Sequence, residues 1–285
     1  ILDADKSILH YTYITPDFCM GSMFEAPIDN DIAWISAQNR YHSITINDNG
    51  INRYIFPYPL EGKKGSNVNL TTFQNVFKVM QYEGVMILKK NSNDKINSLG
   101  VEIAGTGIHI EEALLEKLID TNGWFFGECC GTYFGIYSTA KLNIERRQEF
   151  AIKSALTVYE DAPVILHFEQ KNNYSSFLEF RDKLAGNFIG YKNDVLIYNK
   201  EVNCELKFDF SSENEKEIRA VHSEAVNYSP NYLIGNPYIT SIFNSGIYTI
   251  HFEGIKEQYD FNFGSIKDSC SKKESEPQFV PLSGF

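Results

Sequence analysis

Residues 43–56 run Ser-Ile-Thr-Ile-Asn-Asp-Asn-Gly-Ile-Asn-Arg-Tyr-Ile-Phe, two strand-like segments on either side of a short polar turn. The turn lies at 47–50, where asparagine and glycine accept the positive φ angles that a tight hairpin connection requires. Segments 43–47 and 53–56 have the composition of strands. This stretch predicts an antiparallel β-hairpin.

Similar segments recur along the chain at short intervals. Further strands are predicted at 8–13, 33–37, 75–81, 84–90, 101–109, 122–128, 132–138, 150–158, 164–170, 188–191, 195–199, 204–210, 247–253 and 258–263. Two segments, 111–119 and 174–184, have apolar residues at helical spacing and predict short helices. A stretch with prolines and glycines, 57–70, predicts a loop. Together these elements predict a mostly-β fold, a large antiparallel β-sandwich of the supersandwich type with two short helices.

Domain boundaries follow from composition. No internal repeat and no clear linker divide the chain, so we expect a single β-sandwich domain at 1–263 and a polar C-terminal tail at 264–285. The chain begins with Ile1 instead of methionine, and no folding unit precedes its first motif. We therefore expect part of a larger protein or a processed one.

The composition excludes some classes of partner. The chain has 285 residues and a formal net charge of -11, from 37 acidic and 26 basic residues. An acidic chain repels phosphate backbones, so nucleic acid is not an expected partner. No apolar run approaches the roughly 20 residues that span a bilayer. A secreted or periplasmic location and a cytoplasmic one both stay open, since no signal peptide is visible and free thiols allow the cytoplasm.

Cysteine and histidine spacing gives no metal signature. The five cysteines have no Cys-x-x-Cys spacing, and a disulfide between the adjacent Cys129 and Cys130 would strain the peptide. No two of the six histidines have the spacing of a metal-binding helix, and His167 and His251 lie in strand-like runs. We therefore expect reduced thiols, no metal and no cofactor.

Two segments near the N-terminus predict a binding surface. Residues 11–22 and 38–44 crowd hydrogen-bonding and aromatic side chains into strand-like runs, whereas a strand that serves only packing would alternate apolar and polar residues. His42 is a candidate proton shuttle, and Tyr13 a candidate acid or base if a neighbouring cation lowers its pKa. The candidate substrate-binding residues are Asn39, Arg40, Tyr41 and Asp17. Alternatively, the segment at 39–42 forms only polar cross-strand pairs at a domain interface.

These segments resemble a known family. Tyr-Ile-Thr-Pro-Asp-Phe-Cys-Met-Gly-Ser at 13–22 and Asn-Arg-Tyr-His-Ser-Ile at 39–44 are similar to segments of heparinase II/III-like bacterial proteins. Residues 123–137, 174–180 and 237–247 are similar to other segments of the same proteins. The resemblance covers most of the chain, with Tyr41 at a position where those proteins usually have tryptophan.

The resemblance implies a function and a partner. In that family an α/α toroid precedes a β-sandwich, and polysaccharide is cleaved between them by β-elimination on uronic-acid-containing glycans. This chain would then be the C-terminal β-sandwich, with His42 as its catalytic contribution and Asn39 and Arg40 as substrate contacts. Two alternatives stay open beside a lyase or hydrolase: a non-catalytic carbohydrate-binding domain, and a structural module.

Overall fold

Antiparallel β-strands make up most of the described chain. The computed structural model describes residues 9–24, 42–61, 77–90, 103–146, 154–211, 219–221, 224–225, 232–235, 239–242, 247–252 and 255–260. The chain divides into two compact units, Ile1–Val226 and Asn227–Phe285. The single-domain boundary at 263 stays a prediction, and the predicted tail and the predicted strand at 33–37 lie outside the described residues.

The strands of the first unit are β1 (Leu9–Ile14), β2 (Phe18–Phe24), β3 (Ser43–Asp48), β4 (Ile51–Glu61), β5 (Phe77–Tyr82), β6 (Val85–Lys90), β7 (Ile103–His109), β8 (Ile119–Thr121), β9 (Trp124–Cys129), β10 (Thr132–Ser138), β11 (Asn143–Arg146), β12 (Ser154–Val158), β13 (Val164–Gln170), β14 (Ile189–Lys192), β15 (Val195–Glu201), β16 (Cys204–Asp209), β17 (Arg219–Val221) and β18 (Glu224–Ala225). The helices are α1 (Glu112–Leu115) and α2 (Phe177–Ala185), with a 3-10 turn at Lys171–Asn173. The strands of the second unit are β19 (Tyr232–Gly235), β20 (Ile239–Ile242), β21 (Ile247–Phe252) and β22 (Ile255–Asp260).

In the described residues, the first unit has three sheets and the second has one. The strand orders in the first unit are β1-β2-β3-β4-β7-β12-β11, β5-β6-β13-β10-β9-β8 and β14-β15-β16-β17-β18. The second unit has the order β19-β20-β21-β22. Every described pairing is antiparallel. The prediction of a mostly-β, antiparallel sandwich with two short helices is confirmed.

The six-stranded sheet is the middle layer of the first unit. Successive side chains of a strand point to opposite faces, so His167 and Phe168 of β13 face different neighbours. The ring centroids of Phe168 and of Phe18, in the seven-stranded sheet, are 6.0 Å apart. His167 instead forms a hydrogen bond with the hydroxyl of Tyr198, in the five-stranded sheet. Burial on both faces explains why β13 begins with five buried residues in succession.

Aromatic rings fill the space between the middle layer and α2. Trp124 stacks on Phe126 with ring centroids 5.6 Å apart, and Phe126 meets Phe180 of α2 edge to face at 6.0 Å. Trp124 also packs against Tyr198. All four side chains are fully shielded from solvent. Burying each such ring contributes about 1.5–3 kcal/mol relative to exposure, so this cluster fixes the five-stranded sheet and α2 on the middle layer.

Helix α2 confirms the helical spacing at 174–184. Its N-cap, Ser176, accepts a hydrogen bond from the Glu179 amide at 3.2 Å, and the Glu179 carboxylate accepts one from the Ser175 amide at 2.6 Å. Phe180 and Leu184 are buried on the same face. The helix therefore begins at Phe177, because the polar residues before it cap the free amides.

Helix α1 is shorter than the segment predicted at 111–119. It ends at Leu115, and Ile119 begins β8, where it pairs with Phe126 of β9. Ile119, the last residue of the segment with helical spacing, therefore belongs to β8, an edge strand of the six-stranded sheet. Sheet pairing therefore overrides helical spacing here.

The predicted loop at 57–70 is wrong at its start. Strand β4 continues through Pro57 and Pro59, which pair with Ile108 and Thr106 of β7. On the other side of β4, the register with β3 runs only as far as Ile55. The prolines thus occur where β4 pairs with β7 on one side only, which is the edge-like position where strands tolerate proline. Residues 62–70 lie outside the described part of the chain.

Within the described residues, neither helix has the length and apolar character needed to cross a lipid bilayer.

Candidate functional site

A buried lysine between two carboxylates lies where strands of different sheets meet. Nζ of Lys200, on β15, contacts the Glu83 carboxylate and lies 3.5 Å from Oε1 of Glu169 on β13. Only 8% of the Lys200 side chain and 13% of the Glu169 side chain are exposed, against 41% for Glu83. These three residues, called the Lys200 cluster below, therefore present one carboxylate to solvent and keep an ion pair behind it.

The turn between β5 and β6 positions Glu83. Glu83 has a φ of +50°, and the next residue, Gly84, packs directly on β13. The Phe168 amide donates to the Gly84 carbonyl at 2.8 Å. A Cβ added to Gly84 would lie closer than 3.0 Å to the Phe168 carbonyl oxygen. Glycine is required at this turn because the backbones of the turn and β13 approach so closely, and this approach brings Glu83 beside Glu169.

His167 supports Glu169 from the interior. Its Nε2 lies 3.2 Å from Glu169 Oε1, and its Nδ1 lies 2.6 Å from the Tyr198 hydroxyl oxygen. Burial lowers the pKa of His167, so the ring is neutral at neutral pH. A neutral imidazole has one donor and one acceptor. The arrangement assigns Nε2–H as donor to Glu169 and Nδ1 as acceptor from the Tyr198 hydroxyl.

The ion pair in the Lys200 cluster stays charged across the neutral range. Burial of Glu169 raises the pKa of its carboxyl, but the hydrogen bond from His167 and the Lys200 ammonium outweigh burial and bring the pKa to about 2. Burial of Lys200 lowers its pKa, and the Glu169 and Glu83 carboxylates outweigh that effect and raise it. The Glu169 carboxylate is therefore a fixed hydrogen-bond acceptor.

Four half-buried tyrosines accompany the Lys200 cluster. They are Tyr11 and Tyr13 of β1, Tyr82 of β5, and Tyr174. The Glu83 amide donates to the Tyr11 hydroxyl at 3.1 Å, and Lys200 Nζ lies 5.8 Å from the Tyr82 ring centroid. Burial, reinforced by Glu83 or Glu169, raises the pKa of all four phenols. They remain protonated, with an apolar ring and a polar tip each.

The structure brings one of the predicted site residues, Tyr13, toward this cluster. The pKa of Tyr13 responds to the Glu83 and Glu169 carboxylates. Oδ2 of Asp17 accepts a hydrogen bond from Gln170 Nε2 at 2.8 Å, but Gln170 points to the face of β13 opposite to Glu169. His42 is half-buried directly before β3. The other candidates, Asn39, Arg40 and Tyr41, lie outside the described residues, so their roles stay predictions.

Tyr13 differs from the expectation in its acidity. The sequence-based hypothesis required a neighbouring cation to lower its pKa. Burial instead raises that pKa, the two carboxylates raise it further, and Lys200 offsets them only in part. The Tyr13 phenol is therefore protonated at neutral pH, and its catalytic role stays a prediction.

Sequence reasoning missed the Lys200 cluster itself. His167 was assigned to a strand at a sheet face, and its position on β13 confirms that. The available signal was the polar pair at His167 and Glu169, two residues apart and therefore on the same face of an apolar strand. Nothing in the sequence connects that pair with Glu83 or Lys200, because the three elements meet only in the folded chain.

No family model, curated protein or solved structure compared with this chain matches it, so the candidate site is defined by its own geometry.

Proposed function

We propose that this chain is the carbohydrate-binding β-sandwich of a polysaccharide-processing protein, and that glycan lies against the tyrosines and the Lys200 cluster. The observation that carries the proposal is the combination of four half-buried tyrosines with a carboxylate, Glu83, whose side chain is 41% exposed. Tyrosine rings offer flat apolar surface to a sugar ring, and their hydroxyls bond its polar edge.

The supports of Glu83 favour tight binding of sugar hydroxyls. Lys200 holds the Glu83 side chain, and the Tyr11 hydroxyl accepts from its amide. A group that is already ordered loses little entropy when a ligand binds it. Its carboxylate is therefore a preorganised acceptor for hydroxyl donors.

Charge balance favours neutral glycans over uronates. The cluster has one ammonium and two carboxylates, so a uronate carboxylate meets net negative charge there. Both ring nitrogens of His167 already have partners, and the raised pKa of Tyr13 opposes proton abstraction. These features support binding ahead of elimination chemistry.

Lyase-type β-elimination is the second candidate function. Tyr13, which the sequence motif singled out, lies within the electrostatic reach of Glu83 and Glu169. In this proposal His42 and Tyr13 form one wall of a cleft whose other wall is the α/α toroid that the family resemblance implies. The test is the ultraviolet absorbance of unsaturated products from alginate or polygalacturonate, with His42→Ala as the variant. Activity that survives His42→Ala would exclude the assigned role.

Affinity electrophoresis tests the binding proposal directly. We expect retardation of the chain in gels that contain xylan or a mixed-linkage glucan, and less in gels with alginate. Tyr82→Ala should weaken binding at least tenfold, about 1.4 kcal/mol. The matched control is Tyr54→Ala, because Tyr54 is a tyrosine of β4 with 47% exposure. Equal binding by wild type and Tyr82→Ala, or equal losses in both variants, would contradict the proposal.

A further inference from the structure

Two hairpin turns from different sheets meet and bring together a carboxylate and two thiols. Asp48 ends β3 before the β3–β4 turn, and Cys129 ends β9 before a turn that begins with Cys130. Sγ of Cys130 donates to Oδ1 of Asp48 at 2.6 Å. One ligand atom from each of the three residues lies within 4.8 Å of the other two. We propose that Asp48, Cys129 and Cys130 bind a thiophilic divalent cation of the Zn²⁺ or Cd²⁺ type.

The spacing of the three donors suits such a cation. Zn–S bonds of about 2.3 Å and Zn–O bonds of about 2.1 Å place neighbouring ligand atoms of a tetrahedral site roughly 3.5–3.8 Å apart. The ligand atoms of Asp48, Cys129 and Cys130 all lie within 4.8 Å of one another, close to that spacing. Three protein ligands leave the fourth position for water. Thiolate ligands select Zn²⁺ or Cd²⁺ over the hard cations Ca²⁺ and Mg²⁺.

The Asp48 carboxylate is already oriented toward the sulfurs. Nε of Arg53 lies 2.9 Å from Oδ2, and the Arg53 guanidinium is held in turn by Glu111 at 2.6 Å. Oδ1 is left to face Cys130. Its ion pair with the Arg53 guanidinium makes Asp48 an anionic ligand. Partners of this kind orient metal ligands and strengthen binding.

The backbone at Cys130 carries an independent indication of a site. Cys130 has a φ of +45° at the first position of a two-residue turn, a conformation that favours glycine. Asn49 also places its amide Nδ2 3.6 Å from the Cys130 sulfur. A non-glycine residue held in this region is uncommon and occurs often at functional sites. At this position the half-buried Cys130 thiol lies against Asp48.

Charge and proton balance are consistent with a divalent cation. Cys129 and Cys130 are both free thiols. Binding breaks their two S–H bonds, forms two metal–sulfur bonds and releases two protons to solvent, with no change of oxidation state. The cation, two thiolates and one carboxylate together carry a charge of -1. The Arg53 guanidinium, already at the carboxylate, compensates that charge.

The sequence-based expectation of no metal followed from local spacing. Asp48 and Cys130 are 82 positions apart, and the turns that bring them together belong to different sheets. A search for Cys-x-x-Cys or histidine pairs does not detect such a site.

A cadmium titration of the full reduced chain tests the site. We expect a thiolate-to-cadmium charge-transfer band in the ultraviolet that saturates at one Cd²⁺ per chain and does not form with Ca²⁺. Cys130→Ser should abolish the band while it keeps a hydroxyl donor for Asp48. Asp48→Asn should weaken binding roughly tenfold or more. The matched control is Cys204→Ser, a half-buried cysteine outside the three ligands, which should titrate like the wild type.

Thermal melting gives a second measurement. Bound Cd²⁺ or Zn²⁺ should raise the Tm of the wild type in a concentration-dependent way and leave the Tm of Cys130→Ser unchanged. A wild type with neither a saturable band nor a Tm shift overturns the proposal. A one-equivalent band that persists in Cys130→Ser, or disappears in Cys204→Ser, overturns it as well.

Discussion

The Nδ1 atom of His167 lies 2.6 Å from the hydroxyl oxygen of Tyr198 and so joins the middle sheet to the five-stranded sheet. Both side chains are shielded from solvent almost completely. The other ring nitrogen of His167 bonds Glu169. One buried imidazole therefore connects the interface between two sheets to the Lys200 cluster.

Removing the Tyr198 hydroxyl should destabilise the fold. Tyr198→Phe leaves Nδ1 of His167 buried without its donor, at an expected loss of about 1–3 kcal/mol in the free energy of unfolding. The midpoint of urea unfolding measures this. Tyr191→Phe is the matched control. It removes a part-buried hydrogen bond of 2.7 Å from the Tyr191 hydroxyl to Asp194, so the free energy of unfolding should fall by less. Equal losses in the two variants would contradict the assigned hydrogen bond.

Stability should fall as pH falls below about 6.5. Burial lowers the pKa of His167 and of His109 from the ordinary 6.5 in the folded chain. The unfolded chain then binds more protons below pH 6.5, so the free energy of unfolding falls by up to about 1.4 kcal/mol per pH unit for each histidine. The loss continues until the pH passes through the folded pKa values. Urea unfolding between pH 7.5 and 5 measures the slope.

A histidine variant assigns part of that slope. In His167→Gln, only His109 of these two histidines still contributes to the acid loss of stability. The slope of the free energy of unfolding against pH should therefore become shallower. Glu169, with a pKa near 2 instead of 4.5, adds a separate loss only below about pH 4.5. Stability that stays constant or rises from pH 7 to 5.5 in the wild type would show that His167 is not held neutral.

Much of the fold follows from local signals. The turn at 47–50 is present, with Asn49 and Gly50 at positive φ, because a short hairpin connection tolerates few other residues. Helix α2 is present because its caps and its apolar face are contiguous in sequence. The extension of β4 through Pro57 was not predicted, since it depends on where β3 stops pairing with β4.

The candidate sites follow much less from the sequence. The motif at 11–22 drew attention to Tyr13, which does lie in the field of the Lys200 cluster. Lys200 itself lies in the five-stranded sheet, Glu83 in a turn and Glu169 in the middle sheet. Contacts between residues of different elements, here 31 positions apart for Lys200 and Glu169 and 117 for Lys200 and Glu83, leave no periodic trace in any one segment. The same holds for Asp48 and Cys130.

Loss of Lys200 should be far more damaging than loss of a surface cation. Lys200→Met leaves the Glu169 carboxylate, 13% exposed, without its ammonium partner. We expect a loss of about 3 kcal/mol at neutral pH and a rise in the pKa of Glu169, so the part of the acid destabilisation that Glu169 causes below about pH 4.5 should shrink or reverse. The control is Arg146→Met, which breaks an ion pair with Glu112 whose side chains are more than half exposed, and should cost less than about 1 kcal/mol. Urea unfolding measures both variants. Similar losses in the free energy of unfolding for Lys200→Met and Arg146→Met would mean that the buried ion pair contributes no more than a surface ion pair.

Two glycine variants should distinguish a steric clash with the backbone from a steric clash with a side chain. A methyl group on Gly84 meets the Phe168 carbonyl oxygen, which cannot rotate away, whereas one on Gly131 meets the Asp17 carboxylate, which can. Gly84→Ala should therefore cost about 1–3 kcal/mol and displace Glu83 from Lys200, and Gly131→Ala should cost less. In the double variant Gly131→Ala, Asp17→Ala the carboxylate that meets the added methyl group is gone. The loss in free energy of unfolding caused by Gly131→Ala should therefore be smaller still in the Asp17→Ala background. Urea unfolding of the wild type, Gly84→Ala, Gly131→Ala, Asp17→Ala and the double variant measures these differences. A Gly131→Ala loss as large as that of Gly84→Ala, and unaffected by Asp17→Ala, would contradict the distinction.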